Sequence, residues 1–318
     1  MRMQNVALTV LCVSLLMGAR AILAQEKNGF DLSDALIPVD EIHRGGPPRD
    51  GIPSIDSPKF VPASGELPWR EDDLVMTYDQ GQERYAFPIG ILNWHEIVNH
   101  GAIEKPVLIT FCPLCGTGMA FDPRVEGRTL TFGVSGLLYN SDLLMYDHQT
   151  ESLWSQIEGR AISGPLAGSE LEPVAIRHEL WRKWRNRVGD AGRVLSTDTG
   201  HRRNYRQSPY GDYDHSERLY FPVSSTSRKY HPKTWVLGWT YNGESKAWPF
   251  PELADHGPGC LKTKSEGGRS AFTLMQTYLL QSCAMSLANS CQRRGHSGLP
   301  GTRFTQRRRF SRPINRDA

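Results

Sequence analysis

From Leu74 onward the chain is a succession of short apolar or alternating runs broken by turn residues. This pattern constrains the fold more than any other feature. Val75–Tyr78, Tyr85–Ile89, Val107–Phe111, Thr129–Phe132 and Leu143–Asp147 each suit a strand and are too short for a helix. Helical spacing is limited to two places. Leu92–Asn99 is short, with Asn93 at the N-cap position, and His178–Val188 carries Leu180, Trp181 and Trp184 on one face. The expectation is a mainly β protein with a few helices, of the α+β class. The 21 Pro, 30 Gly and 8 Trp fit a turn-rich, aromatic-rich sheet protein, and 39% hydrophobic residues exclude wholesale disorder.

A repeat lies inside this pattern. Val75–Leu92 aligns without gaps to Val236–Leu253, sharing Val75/Val236, Glu83/Glu244, Ala86/Ala247, Pro88/Pro249 and Leu92/Leu253. Both copies read strand, turn, strand, proline. They predict two related β-rich halves, the second truncated. After Leu253 the second copy dissolves into Ser, Arg, Gln and Cys without periodicity. Read two bases later with permissible third bases, the same stretch regains alternation and a segment A-F-W-F-A-W-Y-S-F-H-P. A frameshift near Asp255–Gly257 is therefore expected, against the alternative of a genuine disordered basic tail.

Charge divides along the same lines. Residues 256–318 carry 11 basic and 2 acidic residues, and residues 1–24 add Arg2 and Arg20. The remaining body, residues 25–255, holds 24 basic against 32 acidic residues. An acidic body without striped basic residues disfavours nucleic acid as a partner. Met1–Ala24 has a charged start, an apolar stretch from Val6 to Met17 and small residues at Ala19, Ala21 and Ala24. This is a secretory signal pattern, the alternative being an uncleaved anchor. Export to the periplasm or outside the cell is expected, with no stable membrane span after cleavage. The organisation expected is a signal peptide over 1–24, an extended arm over 25–73, a C-terminally incomplete main domain over 74–255, and an out-of-frame basic tail over 256–318.

The chemistry concentrates at Cys112-Pro113-Leu114-Cys115-Gly116, just past a buried strand. Three readings compete. A metal knuckle puts both sulfurs on one side of a tight turn and suits zinc, iron or copper. It needs further ligands, histidine or carboxylate, with His95, His100 and His148 as candidates, and His95 and His148 taken with the cysteines. A thiol-disulfide oxidoreductase would use the same pair, but the helix that should follow is missing. A structural disulfide between Cys112 and Cys115 in a non-catalytic interaction domain is the third. His95-Glu96-Ile97-Val98-Asn99-His100 misses the zinc-protease pattern because the second His stands at i+5, which favours a capping or core role for His95. Ser135, Tyr139, Asn140, Asp142 and Asp147 lie in a polar stretch that suits either a small-ligand pocket or an ordinary β-turn region. Arg203, with Asp198, Arg202, Tyr205 and Tyr210, suits either an anionic-ligand loop or a structural ion-pair loop.

Taken together, F-P-I-G-I-L-N-W-H-E-I-V-N, P-V-L-I-T-F-C-P-L-C-G-T, F-G-V-S-G-L-L-Y-N-S-D-L-L-M-Y-D, S-L-W-S-Q-I-E-G-R-A-I-S-G-P and V-L-S-T-D-T-G-H-R-R-N-Y resemble the bacterial domain-of-unknown-function family 3179. The resemblance runs from about Asp31 to Leu253. The shifted-frame aromatic segment is similar to that family's final one. What the resemblance implies is an exported protein with C-P-L-C-G-T as its signature. It carries no activity across.

Overall fold

The computed structural model describes residues 25–101, 103–241 and 244–256, with the backbone alone of 260–265, 268–273 and 305–307. The expected signal segment, Gly257 at the end of the span where the frame change is expected, and most of the expected basic tail lie outside the described residues. The molecule is mostly β with few helices. Among the described residues no helix is long and apolar enough to cross a membrane.

The strands that matter here are β1 (Ile42–Arg44), β2 (Phe60–Pro62), β3 (Leu74–Gln80), β4 (Glu83–Pro88), β5 (Ile97–His100), β6 (Val107–Cys112) and β7 (Thr117–Asp122), with helix α1 (Ile89–His95) between β4 and β5. They continue as β8 (Phe132–Tyr139), β9 (Asp142–Asp147), β10 (Leu153–Ser155), β11 (Arg160–Ser163), β12 (Glu172–Pro173), β13 (Arg177–Leu180), helix α2 (Trp181–Val188) and β14 (Gly192–Leu195). Last come β15 (Val236–Tyr241), β16 (Glu244–Pro249) and helix α3 (Phe250–His256). Three sheets organise most of them, ordered β11-β10-β9-β8-β1, β12-β7-β6-β5 and β13-β3-β4-β14-β2.

The sheet of β5, β6 and β7 is the middle layer. Along β6, Val107, Ile109 and Phe111 join one buried cluster, with Val75, Phe87, Leu92, Trp181 and Trp184. Leu108 and Cys112 join another, with Phe132, Met145 and Trp154. Successive side chains of a strand point to opposite faces, so β6 serves two cores at once. This explains why Val107–Cys112 reads as an unbroken apolar run instead of an alternating one: every residue in it is buried. The outer face of the β8–β9 sheet packs a third cluster of Leu137, Leu144, Tyr146 and Ile162 under Phe30, Leu32 and Ile42.

The arm of residues 25–73 is stitched to all three layers. Its β1 pairs with β8, its β2 with β14, and Ile55 bridges to Val98. The repeat is matched at the level of one hairpin and its helix. In the first copy Val75 pairs with Pro88 and Gln80 with Glu83. In the second Val236 pairs with Pro249 and Tyr241 with Glu244, and a helix of the same length follows.

Three local expectations shift. The helix expected at Leu92–Asn99 spans Ile89–His95, with Pro88 at its N-cap. Asn93 is therefore inside it, and Ile97–His100 is drawn into the middle sheet by pairing with β6. The helix expected from His178 starts at Trp181, because His178–Leu180 pairs with β3. The stretch from Phe132 to Asp142, expected as a pocket lining or a polar β-turn region, is a buried strand and a two-residue turn.

Candidate metal centre

Two tight turns meet at the end of the middle sheet. The first is the knuckle itself. The Gly116 N–H donates to Cys112 O at 2.8 Å, and Gly116 sits at φ +66°. Glycine adopts this left-handed conformation without steric cost, and that lets the chain reverse straight into β7. The second is the β8–β9 hairpin turn, Asn140 at φ 56° and Ser141 at φ 59°. Two successive left-handed residues make a type I′ turn, which matches the right-handed strand twist. Asp142 emerges directly from it.

The turns bring Cys112, Cys115 and Asp142 together, one ligand atom from each lying within 4.8 Å of the others. Cys115 Sγ donates to Asp142 Oδ1 at 3.1 Å, and Asp142 Oδ2 accepts the Ile157 N–H at 3.2 Å. The Cys112 thiol faces Ser141 O at 3.7 Å. The three residues are 1%, 4% and 3% exposed. Both cysteines are free thiols, so the disulfide alternative is not what this structure holds. Burial pushes the Cys112 thiol well up, with the neighbouring Cys115 adding to the effect.

A second carboxyl belongs to the same neighbourhood. Glu96 caps α1 at φ 59°, and its backbone carbonyl accepts the Phe111 N–H at 2.7 Å. Burial raises the Glu96 carboxyl to about 7, opposed by a hydrogen bond from Tyr210 and reinforced by the charge of Asp142. The Tyr210 hydroxyl donates to Glu96 Oε1 at 3.0 Å.

Residues 196–235 contain no helix or strand and are stapled over this end of the molecule. Trp94 Nε1 donates to Gln207 O at 2.9 Å, His95 Nε2 meets the Tyr205 hydroxyl at 2.8 Å, and Glu96 takes Tyr210. Three consecutive residues thus pin the segment. Farther along, Ser141 Oγ donates to Phe221 O at 2.9 Å and the Ser224 N–H donates to Asn140 Oδ1 at 2.7 Å.

The histidines expected as ligands are elsewhere. His95 is buried with Nδ1 on Pro53 O at 2.8 Å and Nε2 on Tyr205, so both ring nitrogens are committed to core contacts. His148 is exposed, with Nδ1 on Thr131 Oγ1 at 3.0 Å. His100 is packed among Phe60, Tyr85 and Phe87. Of the polar residues expected to line a ligand pocket, only Asp142 stands with the cysteines. Ser135 Oγ accepts the Leu137 N–H and donates to Leu144 O, holding the bulge in β8. Asp147 accepts from the Thr150 N–H and Trp154 Nε1, which fixes the next turn. Tyr139 ends β8 opposite Ile42, and the exposed Arg203 lies over the Trp94 ring.

Sequence reasoning did not join Asp142 to the cysteines. The available signal was an Asp placed immediately after an Asn-Ser pair that ends an apolar strand. Such a pair positions the next residue at the mouth of a hairpin.

A three-layer β protein with a buried Cys-x-x-Cys and carboxylate centre is the class that fold and site define. The family model described as protein of unknown function (DUF3179) matches residues 49–289, and the chain belongs to that family. The matched range extends past Leu253 into the stretch expected to be out of frame. No curated protein and no solved structure matches the chain.

Proposed function

We propose that the protein is exported and binds one thiophilic divalent metal ion, zinc foremost, through Cys112, Cys115 and Asp142. The observation that carries this reading is the convergence of two thiols and a carboxylate, all buried, from two separate turns onto one point. A tetrahedral zinc with Zn–S near 2.3 Å holds its sulfurs about 3.8 Å apart. The present spread of up to 4.8 Å exceeds that by about 1 Å, so binding would draw the donors inward. Ionised thiols buried this far from solvent need a balancing charge, which a divalent cation would supply. Thiol-disulfide catalysis is less well supported, because a reactive thiol is exposed and has a lowered pKa, whereas both thiols here are buried and burial pushes Cys112 up.

The test is metal analysis with thiol titration on the full chain after export. About one equivalent of zinc per chain is expected, with iron and copper measured in the same samples. C112S and D142N should each lower zinc affinity by at least tenfold. A chain that takes up none of the three metals would remove the reading. N-terminal sequencing of the exported protein should find residue 25 or residue 22 first. The second hairpin and α3 are read as the start of a second, related half, interrupted by a frame change near Asp255–Gly257. Resequencing of those codons decides that point.

A further inference from the structure

We infer that residues 205–224 form a strap that gates the Cys112–Cys115–Asp142 centre, with Tyr213 as its plug and Lys233 as its clasp. Metal ions and thiol reagents then enter by opening of the strap, with the sheets intact. The inference rests on the metal reading above for what enters; the gate itself rests on how the strap is packed.

The plug is one buried residue in an exposed run. Tyr213 is 1% exposed between the exposed Asp212 and Asp214. It belongs to the buried cluster that holds Cys112, Leu114 and Cys115, and Tyr210 and Phe221 pack against the same cluster. The strap also sits on the turn that walls the centre. Ser141 O faces Cys112 Sγ at 3.7 Å, and Ser141 Oγ donates to Phe221 O at 2.9 Å. Ser141 thus touches the thiol on one side and the strap on the other.

The clasp closes the strap on itself. Lys233 is 4% exposed, and a lysine is buried this far only where its charge is held. Its Nζ donates to Ser216 O at 2.5 Å and to Arg218 O at 2.7 Å, and lies 4.0 Å from the centre of the Tyr213 ring. A cation over an aromatic face is attracted by the ring quadrupole. One ammonium therefore pins both the plug and the loop that follows it. The exposed Tyr220 covers Tyr213 at 4.3 Å between ring centres.

What the strap lacks is a ladder. Phe132, Met145 and Trp154 of the same cluster stand in β8, β9 and β10, which pair along their lengths. Backbone bonds inside the strap are local turns, such as Tyr213 N–H to Tyr210 O at 3.2 Å and Ser216 N–H to Tyr213 O at 3.3 Å. A segment held by a few discrete bonds opens at lower free energy than core strands. The strap is thus the part of the enclosure that can open alone.

Iodoacetamide labelling of the metal-stripped full chain, read by peptide mass spectrometry at Cys112 and Cys115, tests this. Both sites should label far more slowly than in the urea-unfolded chain. Below the unfolding transition their rates should change little with urea, because strap opening exposes little surface. Lys233→Met should label about 10–100-fold faster and Ser141→Gly about 2–10-fold faster, hydrogen bonds to a charged group being the stronger. Ser141 stands at φ 59°, so glycine keeps the turn and removes only the hook on Phe221. Ser141→Gly carries the test if Lys233→Met does not fold. Wild-type rates equal to those of the unfolded chain overturn the gate, and so do rates that rise with urea as steeply as global unfolding. Ser141→Gly labelling at the wild-type rate overturns it as well. Zinc uptake by the same variants should quicken in the same order, and uptake that stays at the wild-type rate overturns the strap as the route of the metal. A chain that takes up no zinc removes the metal reading, while the labelling rates still decide the gate.

Discussion

The two hairpin–helix copies share strand register and helix length, and their sequences part where the helix ends. Aligned on the repeat, α1 ends in Trp94-His95-Glu96, where the second copy reads Asp255-His256-Gly257. Glycine is the residue that ordinarily follows a helix, because a left-handed φ costs it nothing. The first copy has Glu96 in its place, held at φ 59°. A non-glycine residue in such a conformation costs on the order of 1–3 kcal/mol and persists where the surroundings dictate it. The difference teaches that one hairpin and helix can end in two ways, the first copy holding a buried carboxyl at a strained cap.

The largest test of that contrast uses the shared leucine. Leu92 is fully buried among Val75, Phe87 and Trp184, and Leu253 is 8% exposed. Leu92→Ala should lower unfolding stability by about 2–5 kcal/mol in chemical denaturation, and Leu253→Ala by clearly less. Equal losses would show that the second copy is as integral to the core as the first.

Next comes acid stability, which the first copy hands on through β5. His100 is 4% exposed, and burial lowers its pKa to about 4 from the ordinary 6.5. The unfolded chain therefore takes up a proton below pH 6.5 that the native chain refuses until about pH 4. His100 adds nothing to the pH dependence above pH 6.5, and stability falls as pH drops through the interval. The loss is on the order of 3 kcal/mol at its lower end. Denaturation midpoints between pH 7 and pH 4.5 should show this slope; burial lowers His95 and His178 to about 4 as well, so His100→Phe should reduce the slope without abolishing it. A slope unchanged by the substitution would place the acid sensitivity elsewhere.

The smallest effect is the most pointed. Glu96→Gly puts at the end of α1 the residue that tolerates a left-handed φ without cost. It should raise stability of the metal-free protein by about 1 kcal/mol, by removing a left-handed glutamate and a buried carboxyl. A fall in metal-free stability would mean that Glu96 earns its place by packing and its bond to Tyr210.

Much of this was legible from residue order. Apolar periodicity located β3, β4, β6 and β9, and the repeat foretold two matching hairpins. The Cys-Pro-Leu-Cys-Gly knuckle announced a paired-sulfur turn. What stayed hidden depended on distant contacts. His178–Leu180 has helical spacing and becomes a strand because β3 offers it a partner. Cys115 and Asp142 are 27 residues apart, and nothing local says that two turns will meet. The histidines drew attention as likelier ligands by type, but His95 and His100 proved to be core residues with polar edges.

The double duty of β6 has a consequence for how this centre can be lost or inherited. Odd positions fill one core and even positions the other, so moving the strand by one residue would send Cys112 to the wrong side of the layer. Exchange of one aliphatic residue for another along Val107–Phe111 is a quantitative change. Gaining or losing a single residue there is an all-or-none one. The placement of the sulfurs is thus protected by counting: it tolerates drift in composition and forbids drift in length.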